Sequence, residues 1–411
     1  MAEALTVARQ TTSAQMQRRL GSFEHLLWLV DQWTPRHFIF VARVEGAAIA
    51  ADDLRLALLQ VQVRHPILRT AIKENRDGTP EFIPGDSPIP LRVIQRTDST
   101  QWLHEVETQL AIPFERDDQP MMRVSLVQGQ AASELILVIH HSIGDGLSAT
   151  FLVRDLLESM EEYRLAELPP RSAFEDLLPF TGAVSLNQPQ PPVTASNGVA
   201  RLDLPKAASL QFFEIGPGEL NGMLSRCRRE GTTFQAAMIA ALLLSFHGKE
   251  TVRCLTPVNI RSLLPGVTED FGLFISSGTA TLNRNIGLDF WSLARTAREE
   301  AMQAFDVSML QARATALASV VARRPSPQAA YEGLWRRGDY DAVLTNLGRL
   351  PEMPKLKRFR VTAAYLILSP ELEPVVAAAT VNERAFITIS APPAFADMSS
   401  KFFDLLRQQA S

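Results

Sequence analysis

Cysteine is almost missing from this sequence: 411 residues contain two, Cys227 and Cys254. Neither has a partner at metal-ligand spacing. A disulfide framework and a cysteine-built metal site are therefore excluded, and reduced, structural thiols in a cytoplasmic protein are expected. Long apolar runs are missing as well. The longest, Ala236 to Phe246, is too short to cross a bilayer and contains Ser245. Met1 to Arg19 lacks the apolar core of a signal peptide. Positive charge is not in excess: 41 Lys and Arg stand against 45 Asp and Glu, a net charge of -4. That leaves no basic footprint for nucleic acid. No Gly-x-Ser-x-Gly elbow occurs, and neither cysteine has a visible activating neighbour, so no covalent nucleophile is on offer.

What is present reads as an ordinary globular chain, 46% hydrophobic and 21% charged. Its length suggests about two domains at ~150 residues each. One stretch stands out, Glu134-Leu-Ile-Leu-Val-Ile-His140-His141-Ser-Ile-Gly-Asp145-Gly146. Leu135 to Ile139 is apolar, rich in β-branched residues and short, which predicts a strand. After Gly146, Leu147, Phe151, Leu152, Leu156 and Met160 recur at helical spacing. Strand, tight turn and helix follow one another, with His141 at the mouth of the turn. A rigid strand end is a good mount for a histidine base.

His-His-x-x-x-Asp-Gly resembles the signature of the condensation-domain superfamily. That group includes chloramphenicol acetyltransferase, peptide condensation domains, BAHD acyltransferases and stand-alone polyketide-associated acyltransferases. Further stretches resemble it in order. They are Ser22 to Gln32, Arg64-His65-Pro66-Ile67-Leu68-Arg69-Thr70, Ile112 to Val127, Gly231 to Phe246, Asp270-Phe271-Gly272 and Thr345-Asn346-Leu347-Gly348. The chain departs from the pattern at Leu273-Phe274, where BAHD enzymes have Trp-Gly. It also has Ser276 where condensation domains commonly carry Asn.

The resemblance implies an α/β (α+β) fold of two chloramphenicol-acetyltransferase-like halves, each a mixed sheet flanked by helices, around a central tunnel. We place the first half at 1–181, a Pro-rich linker at 182–205 and the second half at 206–411. Within each half, Met122 to Val127 is expected beside the histidine strand. Val361 to Leu368, Pro374 to Val381 and Ala385 to Ile389 are expected as strands of the second half. Phe82-Ile83-Pro84 is expected to begin a loop.

The chemistry that follows is acyl transfer from a pantetheine thioester to a hydroxyl, giving an ester, with His141 as general base. Gly146 is expected to supply a backbone N–H to the oxyanion, with the Ser142 hydroxyl as a further donor. Ser276, Thr345 and Asn346 are candidate substrate contacts. His140 is read as a buried structural partner, and His65 as a packed or capping histidine. Asp145 invites a triad reading, but the family places an arginine at Arg261, and an Asp145–Arg261 ion pair is expected instead. No cofactor or metal is expected. The donor is expected to be an acyl carrier protein or acyl-CoA arriving in trans, and the acceptor a small alcohol or amine. Two alternatives stay open: a free-standing condensation enzyme forming an amide, and an inactive carrier-binding module.

Overall fold

A computed structural model describes residues 16–115, 119–179, 209–283, 286–335, 340–353, 356–368 and 373–410. In chain order the strands are β1 (Arg18–Arg19), β2 (His37–Gly46), β3 (Thr70–Glu74), β4 (Pro80–Pro84), β5 (Leu91–Gln95), β6 (Met122–Gln128) and β7 (Ala132–His140). They continue with β8 (Ser209–Ile215), β9 (Thr251–Asn259), β10 (Ile275–Asn283), β11 (Ala342–Arg349), β12 (Phe359–Leu368), β13 (Val375–Val381) and β14 (Arg384–Ala391).

These strands form three sheets. A five-stranded sheet has the order β12-β2-β7-β6-β5, a six-stranded sheet the order β10-β9-β11-β13-β14-β8, and a small one the order β1-β4-β3. Both large sheets are mixed. In the first, β5 runs parallel to β6; in the second, β11 runs parallel to both β9 and β13.

The histidine strand β7 is buried at every position, so both of its faces must be apolar. Leu135, Leu137 and Ile139 pack into one core with Leu152 and Leu156 of the helix Gly146–Met160. Ile136 and Val138 point the other way, toward Val106 of the helix Gln101–Ala111. A strand alternates its side chains between faces, so a continuous apolar run is what two-sided burial requires. The second core surrounds the helix Phe234–Ser245, which is apolar on nearly all sides. Its Thr233 accepts the Ala236 N–H as an N-cap.

Two expectations need correction. The sequence places Val361 to Leu368 among the strands of the second half, yet β12 pairs antiparallel with β2 from Phe38 to Gly46. The first sheet is thus completed by a strand from late in the chain. Phe82 to Pro84 is strand, not loop: β4 is the middle strand of its sheet. Pro80 and Pro84 lie at its two ends, where a missing N–H costs the ladder little. The linker expected at 182–205 lies outside the described residues.

Candidate active site

β7 delivers His141 to the turn, where its backbone N–H donates to the Arg36 carbonyl at 2.8 Å. The ring stands edge-on to Phe38, with centroids 5.0 Å apart. Nδ1 is 2.9 Å from the Gly144 carbonyl. A carbonyl oxygen only accepts, so Nδ1 carries the proton and Nε2 keeps its lone pair. Burial pushes the imidazole's pKa below its ordinary value, and the attraction of the Asp145 charge offsets this only in part. The ring is therefore neutral at cellular pH.

Two cavities meet at this ring. One, of 330 Å³, is walled mainly by apolar residues such as Leu26, Leu27, Phe174, Leu255 and Leu317. The other, of 130 Å³, is lined by Gly146, Asn259, Thr345 and Asn346 among others. His141, Pro257, Ile275 and Leu368 belong to both. Of the residues singled out from the sequence, Ser276 lines the larger cavity, and Thr345, Asn346 and Gly146 line the smaller. A larger depression of 760 Å³ near Arg349 and Arg358 contains none of them and carries charge of both signs.

Ser142 is not brought to either cavity, which corrects its reading as an oxyanion donor. It is fully buried, and its Oγ lies 2.7 Å from His140 Nδ1. The turn after β7 folds the hydroxyl back under the histidines. His140 Nδ1 also receives the Ser142 N–H at 3.1 Å, while Nε2 faces Asp31 at 3.6 Å. His140 thus holds the base of the turn. His65 is also buried, bonded through Nε2 to Asp155 at 2.8 Å.

Asp145 does not touch the His141 ring. Its Oδ1 receives the Ser148 N–H at 2.8 Å, capping the helix Gly146–Met160. Arg261 reaches it with both terminal nitrogens, at 3.0 Å to Oδ2 and 3.1 Å to Oδ1. The Phe274 N–H donates to Oδ2 at 2.9 Å. Arg261 also donates to Ser148 Oγ at 2.8 Å and to the Asp270 carbonyl at 3.2 Å. The expected ion pair is present, and the segment Asp270-Phe-Gly272 packs onto it. Burial alone would raise the Asp145 pKa. The charge and hydrogen bonds of Arg261, with the two N–H donors, outweigh burial and hold the carboxyl below its usual range.

A Condensation domain profile matches residues 13–177, the part of the chain that carries the histidine motif. Over those residues the chain resembles the condensation-domain family. Tyrocidine synthase 3 of Brevibacillus parabrevis is 25% identical over 326 residues, which covers 73% of this chain. The chain spans 5% of that synthase's length. Among solved structures, a trichothecene 15-O-acetyltransferase from Fusarium sporotrichioides superposes with a TM-score of 0.68 at 13% identity, covering 97% of both chains. Polyketide synthase associated protein 5 from Mycobacterium tuberculosis superposes with a TM-score of 0.64 at 16% identity, covering 96% of this chain and 97% of its own. Both share the fold.

Within this fold, the two glycines of the motif turn have steric roles. A Cβ on Gly144 would lie 2.6 Å from Phe271 Cε1, so the glycine lets the Asp-Phe-Gly segment seat against the turn. A Cβ on Gly146 would lie 2.7 Å from Leu347 Cδ2 and 3.2 Å from Leu366 Cδ2. Both leucines line the smaller cavity. Gly146→Ala should fold but lose about 1–3 kcal/mol through overpacking. Displaced leucines should also narrow that cavity and raise KM for its ligand more than they lower kcat. Denaturant titration and steady-state kinetics check this; unchanged stability and KM would contradict it.

Sequence reading missed Phe38, Pro257 and Asn259 as wall residues. Phe38 and Pro257 carry no chemical signal, and only the pairing of β9 with β10 brings Asn259 opposite Ile275 and Pro257 opposite Ser277. Both cysteines are free and buried, and burial pushes their thiols up, Cys227 to about 11. Among the described residues, no group of three or more His, Cys, Asp and Glu could hold a metal ion, and no helix is long and apolar enough to cross a membrane.

Proposed function

We propose that this chain is an acyltransferase of secondary metabolism. It moves an acyl group from a pantetheine thioester to an acceptor hydroxyl, giving an ester. The observation that carries the reading is the His141 ring: its Nδ1 is tied to the Gly144 carbonyl, and its side chain lies where two cavities meet. Two reactants entering from two cavities would meet at one neutral base.

In the proposed reaction, His141 Nε2 accepts the acceptor's proton as the oxygen attacks the thioester carbonyl. The first N–H groups of the helix Gly146–Met160 have no intrahelical acceptor, and the Gly146 N–H is the proposed donor to the developing oxyanion. Collapse of the tetrahedral intermediate breaks the C–S bond. The imidazolium returns its proton to the departing thiolate. No acyl-enzyme is needed. The donor is proposed to be borne by a carrier protein or coenzyme A. Buried, reduced thiols support a cytoplasmic setting.

A second reading is an amide product from an amine acceptor, supported by the match of residues 13–177 to a Condensation domain profile. The same base serves both acceptors. Product mass spectrometry with paired alcohols and amines distinguishes them.

The pH dependence follows from the ring's burial. Only the neutral imidazole accepts a proton, so kcat/KM should rise with pH as His141 deprotonates. Because burial lowers its pKa from 6.5, that rise should be centred below pH 6.5. A pH–rate profile whose acidic limb is centred above 6.5 would contradict the assignment.

A further inference from the structure

The larger cavity has a charge pattern that catalysis by His141 does not use. Among the described residues its lining includes Arg36 and Arg313 and no aspartate or glutamate. Arg36 stands over the Tyr331 ring at 5.7 Å. Arg313 lies on the helix Val307–Val321 beside Leu310, Ala314 and Leu317, which line the same cavity. It is an exposed residue, so it stands at the cavity's mouth. Its guanidinium donates to the Ser277 carbonyl. No carboxylate of the described residues lies within ion-pair reach, and desolvation alone, with no neighbouring charge, shifts its pKa, downward. An arginine presents five donors in a planar fork that matches a carboxylate.

We infer that the larger cavity binds an apolar carboxylate, its hydrocarbon body against the leucine wall and its carboxylate oxygens on Arg313. The inference rests on the acyl-transfer reading only in making this molecule the acceptor, whose body then also carries the hydroxyl or amine that gives its proton to His141. Apolar walls favour it over the pantetheine arm, whose amides would be desolvated there without partners. A volume of 330 Å³ is at the small end for ligand sites and fits a compact molecule.

The test is calorimetric binding to the full chain, using 3-phenylpropanoate and 3-phenylpropan-1-ol as probes. The carboxylate should bind roughly 10- to 100-fold tighter, the worth of a charge-assisted hydrogen bond. Arg313→Gln should erase the difference and Arg313→Lys should keep part of it. His141→Ala should leave the preference intact, so the site can stand even if acyl transfer does not. Equal affinities for the two probes, or a preference that survives Arg313→Gln, would overturn it. So would an Arg313→Gln effect confined to S-acetyl phosphopantetheine over S-acetyl pantetheine, or to turnover of a carrier-borne donor. Those results would assign the arginine to the donor arm or to carrier docking.

Discussion

Replacement of His141 by alanine is expected to lower kcat/KM roughly 10²–10⁴-fold, the usual contribution of a positioned general base. The fold should survive. The ring hydrogen-bonds to the Gly144 carbonyl, and one such bond contributes about 1 kcal/mol. Loss of rate should therefore come with a melting temperature close to that of the unchanged chain. The ring is not anchored by a carboxylate, since both Asp145 oxygens are engaged by Arg261, Ser148 and Phe274. What orients the base is the turn itself, through a backbone carbonyl. Near-normal turnover in His141→Ala would remove the base from the mechanism, whatever its place in the fold.

The second large effect belongs to the pair that holds the turn. Asp145→Ala and Arg261→Ala should each cost on the order of 3–5 kcal/mol, because each leaves the opposite charge buried without its partner. Asp145 and Arg261 are 1% and 4% exposed, so water cannot replace the lost contact. The double variant should be less damaging than the sum of the two, because the second change removes the stranded charge. Denaturant unfolding of the three variants measures the coupling. Simple additivity would mean that the pair does not act as a unit. The sign with pH is also set. Folding depresses the Asp145 pKa, so its contribution is present above the unfolded carboxylate value of about 3.9 and is lost as pH falls through the lower folded value. Acid unfolding should begin at a higher pH in Arg261→Ala. Activity should fall in all three variants, since the turn carries both Gly144 and Gly146.

The strand, turn and helix around His141 were legible because each has a local cause: a β-branched run, a tight turn bearing Gly144 and Gly146, an apolar stripe at helical spacing. Asp145 and Arg261 are separated by 116 positions, and no local rule joins them. The resemblance to condensation domains supplied that pairing. β12 was legible as a strand but not as a member of the first sheet, because alternation reports which face is buried and not which strand lies alongside. Ser142 was misplaced for a similar reason: a turn can send a hydroxyl outward or back under the strand, and here His140 Nδ1 receives it. The larger cavity is walled by the helix Ser22–Val30, the helix Val307–Val321, β9 and β10 together. No one of those segments carries a signal of its own for it.

The central claim is that His141 drives direct transfer from a thioester. The most direct measurement is mass spectrometry of small molecules and of the intact protein, after incubating the unchanged chain and His141→Ala with acyl-CoA or an acyl carrier protein and a mixed panel of alcohols and amines. The account predicts a new ester or amide formed with one equivalent of free thiol, no acyl mass on the protein, and neither product nor thiol above background in His141→Ala. Thiol release without a coupled product, an acylated protein, or equal product from both chains would contradict it.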